Sequence, residues 1–137
     1  FMKVGGKFLL IAFFVVLLDQ ITKVLFENVD YGILNYVENT GAAFGLFKGN
    51  VLILSIISVF VIFLLLYYFF KYPSLYLPLG FLLGGATGNL IDRVFLGFVR
   101  DFIDLKVWPI FNVADSFNVI GVVILGLILI TDKGKHL

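Results

Sequence analysis

Four stretches of nearly unbroken apolar residues constrain this chain more than any other feature, because each approaches the ~20 residues a helix needs to cross the hydrocarbon layer. They cover about residues 7–26, 51–70, 75–92 and 113–130. With 61% hydrophobic and only 14% charged residues, a water-soluble fold would leave large apolar patches uncovered. The expectation is an all-α membrane protein, a four-transmembrane-helix bundle forming one integral domain over residues 1–137. Asp19, Gln20 and Lys23 stand where a small-residue cleavage site would have to be, so the first stretch reads as a retained span rather than a removable signal peptide. Phe1 ahead of Met2-Lys3 reads as a residue added before an ordinary start.

With four spans, the two longer connections, about 27–50 and 93–112, fall on one side of the bilayer. The stretch from Gly32 to Asn39 alternates partly and is rich in strand formers, which predicts a small interfacial β-sheet. Lys3, Lys7, Lys71, Lys133 and Lys135 crowd the short segments on the other side. That placement puts both termini in the cytoplasm and the connections in extracytoplasmic positions.

The residue inventory removes several chemistries. There is no cysteine, and the one histidine, His136, lies in the tail. A Ser-His relay, a thiolate nucleophile and an H-E-x-x-H zinc site are all excluded, and no metal or cofactor is implied. A net charge of +1, with no basic stretch interleaved with aromatics, gives no footprint for nucleic acid.

Ionisable groups at membrane depth are costly unless paired or facing water, so Asp19, Asp92, Arg93, Asp101 and Asp115 near the span ends each call for a reason. Asn89 and Arg93 are four apart and share a helix face. Asn112 and Asp115 open the fourth span, where free backbone N–H groups favour a capping side chain. Asp101 and Asp115 thereby reach the same membrane face with asparagine and arginine nearby. That is the set an aspartic pair needs for peptide hydrolysis, two carboxyls sharing one proton. The residues alone leave other readings open: helix caps, an ion route in a small transporter, or an assembly protein whose Gly80, Gly84 and Gly88 strip receives a partner helix. Asp19 and Lys23 read as a structural pair at i, i+4, and Asp92 as a cap or a partner near Arg93. Asp104 reads as a solvated loop carboxylate. Phe44, Phe47 and Trp108 read as interfacial anchors.

These residues stand in strings that resemble those of the lipoprotein signal peptidase, or signal peptidase II, family. The strings are D-Q-I-T-K (Asp19 to Lys23), N-T-G-A-A-F-G (Asn39 to Gly45), G-G-A-T-G-N-L-I-D-R (Gly84 to Arg93), V-R-D-F-I-D (Val99 to Asp104) and F-N-V-A-D-S (Phe111 to Ser116), in the family's order. The resemblance implies that Asp101 and Asp115 are the catalytic pair. It further implies that Asn39, Asn89, Arg93 and Asn112 hold the substrate, with Asp19, Lys23, Gly41 and Asp92 in support. The implied activity is removal of the signal peptide from diacylglyceryl-modified prolipoproteins, cut just before the lipidated cysteine, in the bacterial cytoplasmic membrane. The implied partners are that lipid-modified substrate, membrane lipid and globomycin-type inhibitors, and nothing in the sequence demands a second subunit. Arg100 departs from the small apolar residue that family members often carry there, which raises the question of what it does beside Asp101.

Overall fold

In lipid every backbone N–H and C=O must find a partner within the chain, and the four apolar stretches accordingly become helices. A computed structural model describes residues 2–132 of the chain; Lys133, Lys135 and His136, used above for orientation and elimination, lie outside the described residues. The elements are α1 (Met2–Leu25), β1 (Asp30–Tyr31), β2 (Leu34–Asn39), α2 (Val51–Lys71), α3 (Tyr76–Leu96), β3 (Val99–Ile103) and α4 (Val113–Thr131), with 3₁₀ turns at Ala43–Gly45 and Pro73–Leu75. All four helices are long and apolar enough to span a bilayer.

Helix α3 runs on past Asp92 to Leu96, so Arg93 lies on the helix and the second connection begins later than the hydropathy suggests. The helix stops at Gly97, whose left-handed backbone (φ 80°) turns its N–H back onto the Arg93 carbonyl. Hydropathy weakens before the helix does because its last turns carry Asn89, Asp92 and Arg93 on inward or cavity-facing sides.

The connections pair with each other. β1 and β2 form a hairpin across Gly32–Ile33, Gly32 taking the positive φ (62°) that the tight turn requires. β2 then pairs antiparallel with β3, placing Val37 opposite Asp101 and Glu38 opposite Arg100. The sequence signals only the first of the two connections as strand, and its partner comes from the V-R-D-F-I string in the second.

Helix α3 is the centre of the bundle and packs on α1, α2 and α4. Its glycine strip explains how α1 comes so close. A methyl group on Gly80 would meet Ile11, one on Gly84 would meet Val15 and the Ala12 carbonyl, and one on Gly88 would meet the Asp19 carboxylate. Ile11, Val15 and Asp19 are themselves four apart, so two matching rows interlock. Towards the terminal side the bundle is closed by Phe8, Ala12, Leu65, Phe69, Leu75, Leu79 and Leu83, with the Phe8 and Phe69 rings stacked at 4.0 Å. The outward faces of α2 and α4 remain apolar and exposed, as lipid-facing surface should be.

Gly84→Ala should lower the thermal stability of the detergent-solubilised protein, by about 1–3 kcal/mol from overpacking, since its new carbon would sit 2.5 Å from Val15 Cβ. Gly126→Ala, with open space around it, should not destabilise and should gain up to about 1 kcal/mol from helix propensity. Equal melting temperatures for the two variants would contradict this packing.

Candidate active site

Asp101 leaves β3 and Asp115 sits in the first turn of α4, and one residue touches both. Asn112, fully buried at the N-cap of α4, accepts the Asp115 N–H on its side-chain oxygen while its own backbone N–H donates to Asp115 Oδ2 at 3.1 Å, a reciprocal capping box. The Asn112 amide nitrogen donates to Asp101 Oδ1 at 2.8 Å. The remaining carboxylate oxygens are held by two more asparagines, Asp101 Oδ2 by Asn39 at 3.1 Å and Asp115 Oδ1 by Asn89 at 2.9 Å. Burial, and next the charge of Asp115, push the Asp101 carboxyl up to about 7.

Each asparagine is itself oriented. Asn39 has its oxygen tied down by the Gly41 N–H at 2.9 Å, which turns its amide nitrogen towards Asp101. A side chain at Gly41 would run into the Leu46 carbonyl and the Lys48 backbone. Asn89 has its oxygen occupied by Lys23 Nζ (3.1 Å) and by Asn112 (2.9 Å), so its NH₂ faces Asp115.

Behind these amides lies a buried ionic cluster. Lys23 and Asp19 are fully buried and 2.7 Å apart, and Lys23 is also 3.4 Å from Asp92. Asp92, equally buried, receives Arg100 through three donors: the backbone N–H at 3.0 Å, Nε at 3.1 Å and Nη2 at 2.9 Å. Gln20 fills the gaps, donating to Asp92, Asp19 and the Gly88 carbonyl and accepting from Arg100. The second oxygen of Asp19 accepts the Ala114 N–H at 2.9 Å, tying α1 to the start of α4. Two cations meet two anions, so the cluster is neutral, the condition under which ionised groups persist away from water.

Beside Asp115 a cavity of about 220 Å³ is lined by Ser58, Asn89, Arg93, Asp115 and Asn118, together with Ala42 and Ala43 from the first connection. Arg93 reaches across to Ser58 Oγ at 3.2 Å. On the other side of Asp115 an apolar groove runs between Leu105, Trp108, Phe111 and Val119. The exposed rings of Phe44 and Trp108 meet edge to face at 5.6 Å, bridging the two connections. A peptide carbonyl laid in the cavity would meet amide and guanidinium donors beside the Asp115 carboxyl, with the apolar groove on the other side of that residue.

The sequence model of signal peptidase (SPase) II matches residues 11–131. The chain belongs to the signal peptidase II family. It is 48% identical to the lipoprotein signal peptidase of Caldanaerobacter subterraneus subsp. tengcongensis, over 92% of this chain and 97% of that one. It is 41% identical to the lipoprotein signal peptidase of Halothermothrix orenii, over 88% and 92%. Among solved structures it resembles a bacterial membrane enzyme determined at 2.3 Å, with a TM-score of 0.85 and 34% identity over 95% of this chain and 91% of that one. The four-helix membrane fold with its small sheet is thus that of a signal peptidase II.

Asn39, Asn89, Asn112, Asp101 and Asp115 fall in one hydrogen-bonded network with Asp19, Lys23, Gly41 and Asp92 behind them, while Arg93 stands apart from it on the cavity wall, bonded to Ser58. Two expectations are corrected. Asp92 pairs with Arg100 and Lys23 rather than near Arg93, because it faces α1 and β3 while Arg93, one residue on, faces the cavity. Asp104 is not a solvated carboxylate. It is buried, and it accepts from the Lys106 backbone and ammonium and from Asn35. Gln20, Ser58 and Asn118 were missed as site residues; their signal is a polar group inside an otherwise apolar span, which needs a reason even when uncharged.

Lys23→Met should destabilise the fold by about 3–5 kcal/mol, because it leaves a buried carboxylate without its counter-charge. The double variant Lys23→Met with Asp19→Asn should regain much of that loss in thermal unfolding. A single variant as stable as wild type would show that the cluster is not ionised as drawn.

Proposed function

We propose that this signal peptidase II is an aspartic endopeptidase that removes the signal peptide from bacterial prolipoproteins, with Asp101 and Asp115 as the catalytic pair. The observation that carries this reading is the shared asparagine: Asn112 binds Asp101 through its side chain and Asp115 through its backbone, in a buried site where a second negative charge is disfavoured. One proton is then held between the two carboxyls. The ionised member takes a proton from water as its oxygen attacks the scissile carbonyl, and the protonated member gives its proton to the carbonyl oxygen. The tetrahedral intermediate collapses as its hydroxyl returns a proton and the C–N bond breaks, the departing nitrogen being protonated from the pair. Which carboxyl acts as base is a property of the coupled pair rather than of one residue.

Asn89 and Arg93 border the cavity next to Asp115 and are suited to holding the substrate backbone, while Asn39 and Asn112 keep Asp101 in place. A substrate whose cysteine carries diacylglycerol, cut just before that residue, would present its scissile bond where this site lies, between the connections and the outer ends of the helices. The connections face the extracytoplasmic side of the cytoplasmic membrane and both termini face the cytoplasm. The protein works as a monomer, and a globomycin-type cyclic peptide competes for the same cavity.

Purified wild type should cleave a diacylglyceryl-modified prolipoprotein, and Asp101→Asn and Asp115→Asn should each lose on the order of a thousandfold or more in kcat. Cleavage at the wild-type rate by either variant would defeat the assignment. The pH profile follows from the raised Asp101 carboxyl: the shared proton is retained below about 7 and lost above it, so kcat should fall as pH rises through that value. A rate that stayed flat from pH 6 to pH 9 would be incompatible with a shared proton.

A further inference from the structure

Arg100 neither lines the cavity nor bonds to either carboxyl of the pair, yet its backbone N–H and carbonyl, its Nε and its Nη2 are all held. Its N–H and guanidinium bind Asp92 on α3, its Nη2 also binds Gln20 on α1, and its carbonyl accepts from the Asn112 amide at 3.3 Å. The next residue in the chain is Asp101. In a strand, consecutive side chains point to opposite faces, so anchoring Arg100 inward against α3 fixes the opposite direction for Asp101. Asn112 grips the strand on both sides of this junction, at the Arg100 carbonyl and at the Asp101 carboxylate.

The second consequence concerns charge. Without Arg100, Lys23 would be the one cation shared by Asp19 and Asp92, and the cluster would carry a net negative charge behind the catalytic pair. Lys23 lies 3.1 Å from the Asn89 oxygen and 3.4 Å from Asp92. An unpaired Asp92 would draw the ammonium away from Asn89, freeing the amide that holds Asp115. The charged and titratable groups around Arg100 are Asp92 from α3 and, more distantly, Glu27 and Tyr36 from the first connection, with Glu38 opposite it in the sheet. Those acting on Asp101 are chiefly Asp115 and Lys23, and Arg93 acts with Asp101, Asp115 and Asp92.

We infer that Arg100 is a positioning residue for the peptidase reaction: by clamping β3 to Asp92 it aims Asp101, and by neutralising Asp92 it leaves Lys23 free to orient Asn89 towards Asp115. This inference rests on the proposed catalytic pair. A small apolar side chain in place of Arg100 would leave Asp92 without its guanidinium partner.

The test compares Arg100→Met, Arg100→Lys and the double variant Arg100→Met with Asp92→Asn, using the prolipoprotein cleavage assay across pH, with thermal unfolding to score the folded fraction. Arg100→Met should lower kcat on the order of tenfold to a hundredfold, as expected for a displaced reacting group, with KM nearly unchanged. Its alkaline limb should move to higher pH, by up to about one unit, because the uncompensated Asp92 charge strengthens proton binding by the pair. Arg100→Lys should return the limb towards wild type by restoring the charge. It should regain kcat only in part, since an ammonium cannot reproduce the planar fork across Asp92 and Gln20. The double variant, neutral again, should also return the limb. A purely structural arginine would lower the melting temperature and leave kcat per folded molecule and the limb unmoved, and that result overturns the inference. Should Arg100→Met not fold, Arg100→Lys alone decides it, wild-type kcat being the overturning outcome. Wild-type enzyme that cuts no prolipoprotein, or an active Asp101→Asn variant, would bring down the catalytic pair instead.

Discussion

Four ionised side chains sit in the interior of a bundle built for lipid, and the arrangement survives because their charges cancel. Asp19 and Asp92 would each cost several kcal/mol if stranded there. Lys23 and Arg100 offset them at hydrogen-bonding distance, with Gln20 taking up the unused donors and acceptors. The cluster ties α1, α3 and β3 together and, through the Ala114 N–H, the start of α4. Loss of one member leaves an uncompensated charge rather than a missing contact, so the cluster behaves as a unit.

That neutrality has a direct bearing on the site in front of it. The two carboxyls of the proposed pair are held by asparagines rather than by cations, which permits them to exchange a proton instead of being locked in the ionised state. The Lys23 ammonium stays one residue further back, bonded to the Asn89 oxygen rather than to either carboxyl of the pair, and Arg93 lies on the cavity wall bonded to Ser58. A direct Lys–Asp115 pair would favour two ionised carboxylates and leave no proton to polarise a carbonyl. The glycine strip of α3 belongs to the same design, since Gly88 leaves the space in which the Asp19 carboxylate approaches the helix.

Legibility varied with the range of the interaction. Helical spacing identified Asp19 with Lys23 and the face shared by Asn89 and Arg93, because neighbours four apart on a helix meet whatever the fold. The Asn112–Asp115 cap was equally local, and it formed as a full capping box. The strand that carries Asp101 was not visible in composition: its residues pair with β2, sixty or more positions earlier in the chain, and hydropathy says nothing of that partner. Asp92 was misassigned for the related reason that proximity in sequence to Arg93 is no guide when adjacent helical residues point in directions roughly 100° apart.

The sequence by itself determined that the chain crosses a membrane four times, that its polar chemistry collects at one end of the spans, and that neither a thiolate nor a histidine within the spans is available to it. Those conclusions depend on lengths, on which residue types are present, and on spacings within one helix. Only the tertiary structure decided that one asparagine serves both carboxyls, that Arg100 turns inward to Asp92, and that Lys23 aims Asn89. Such partnerships depend on how far each helix is rotated about its axis and on the register of strands from different connections. Those quantities are set jointly by glycine-to-side-chain packing and by the requirement that buried charges cancel, and no local pattern encodes them.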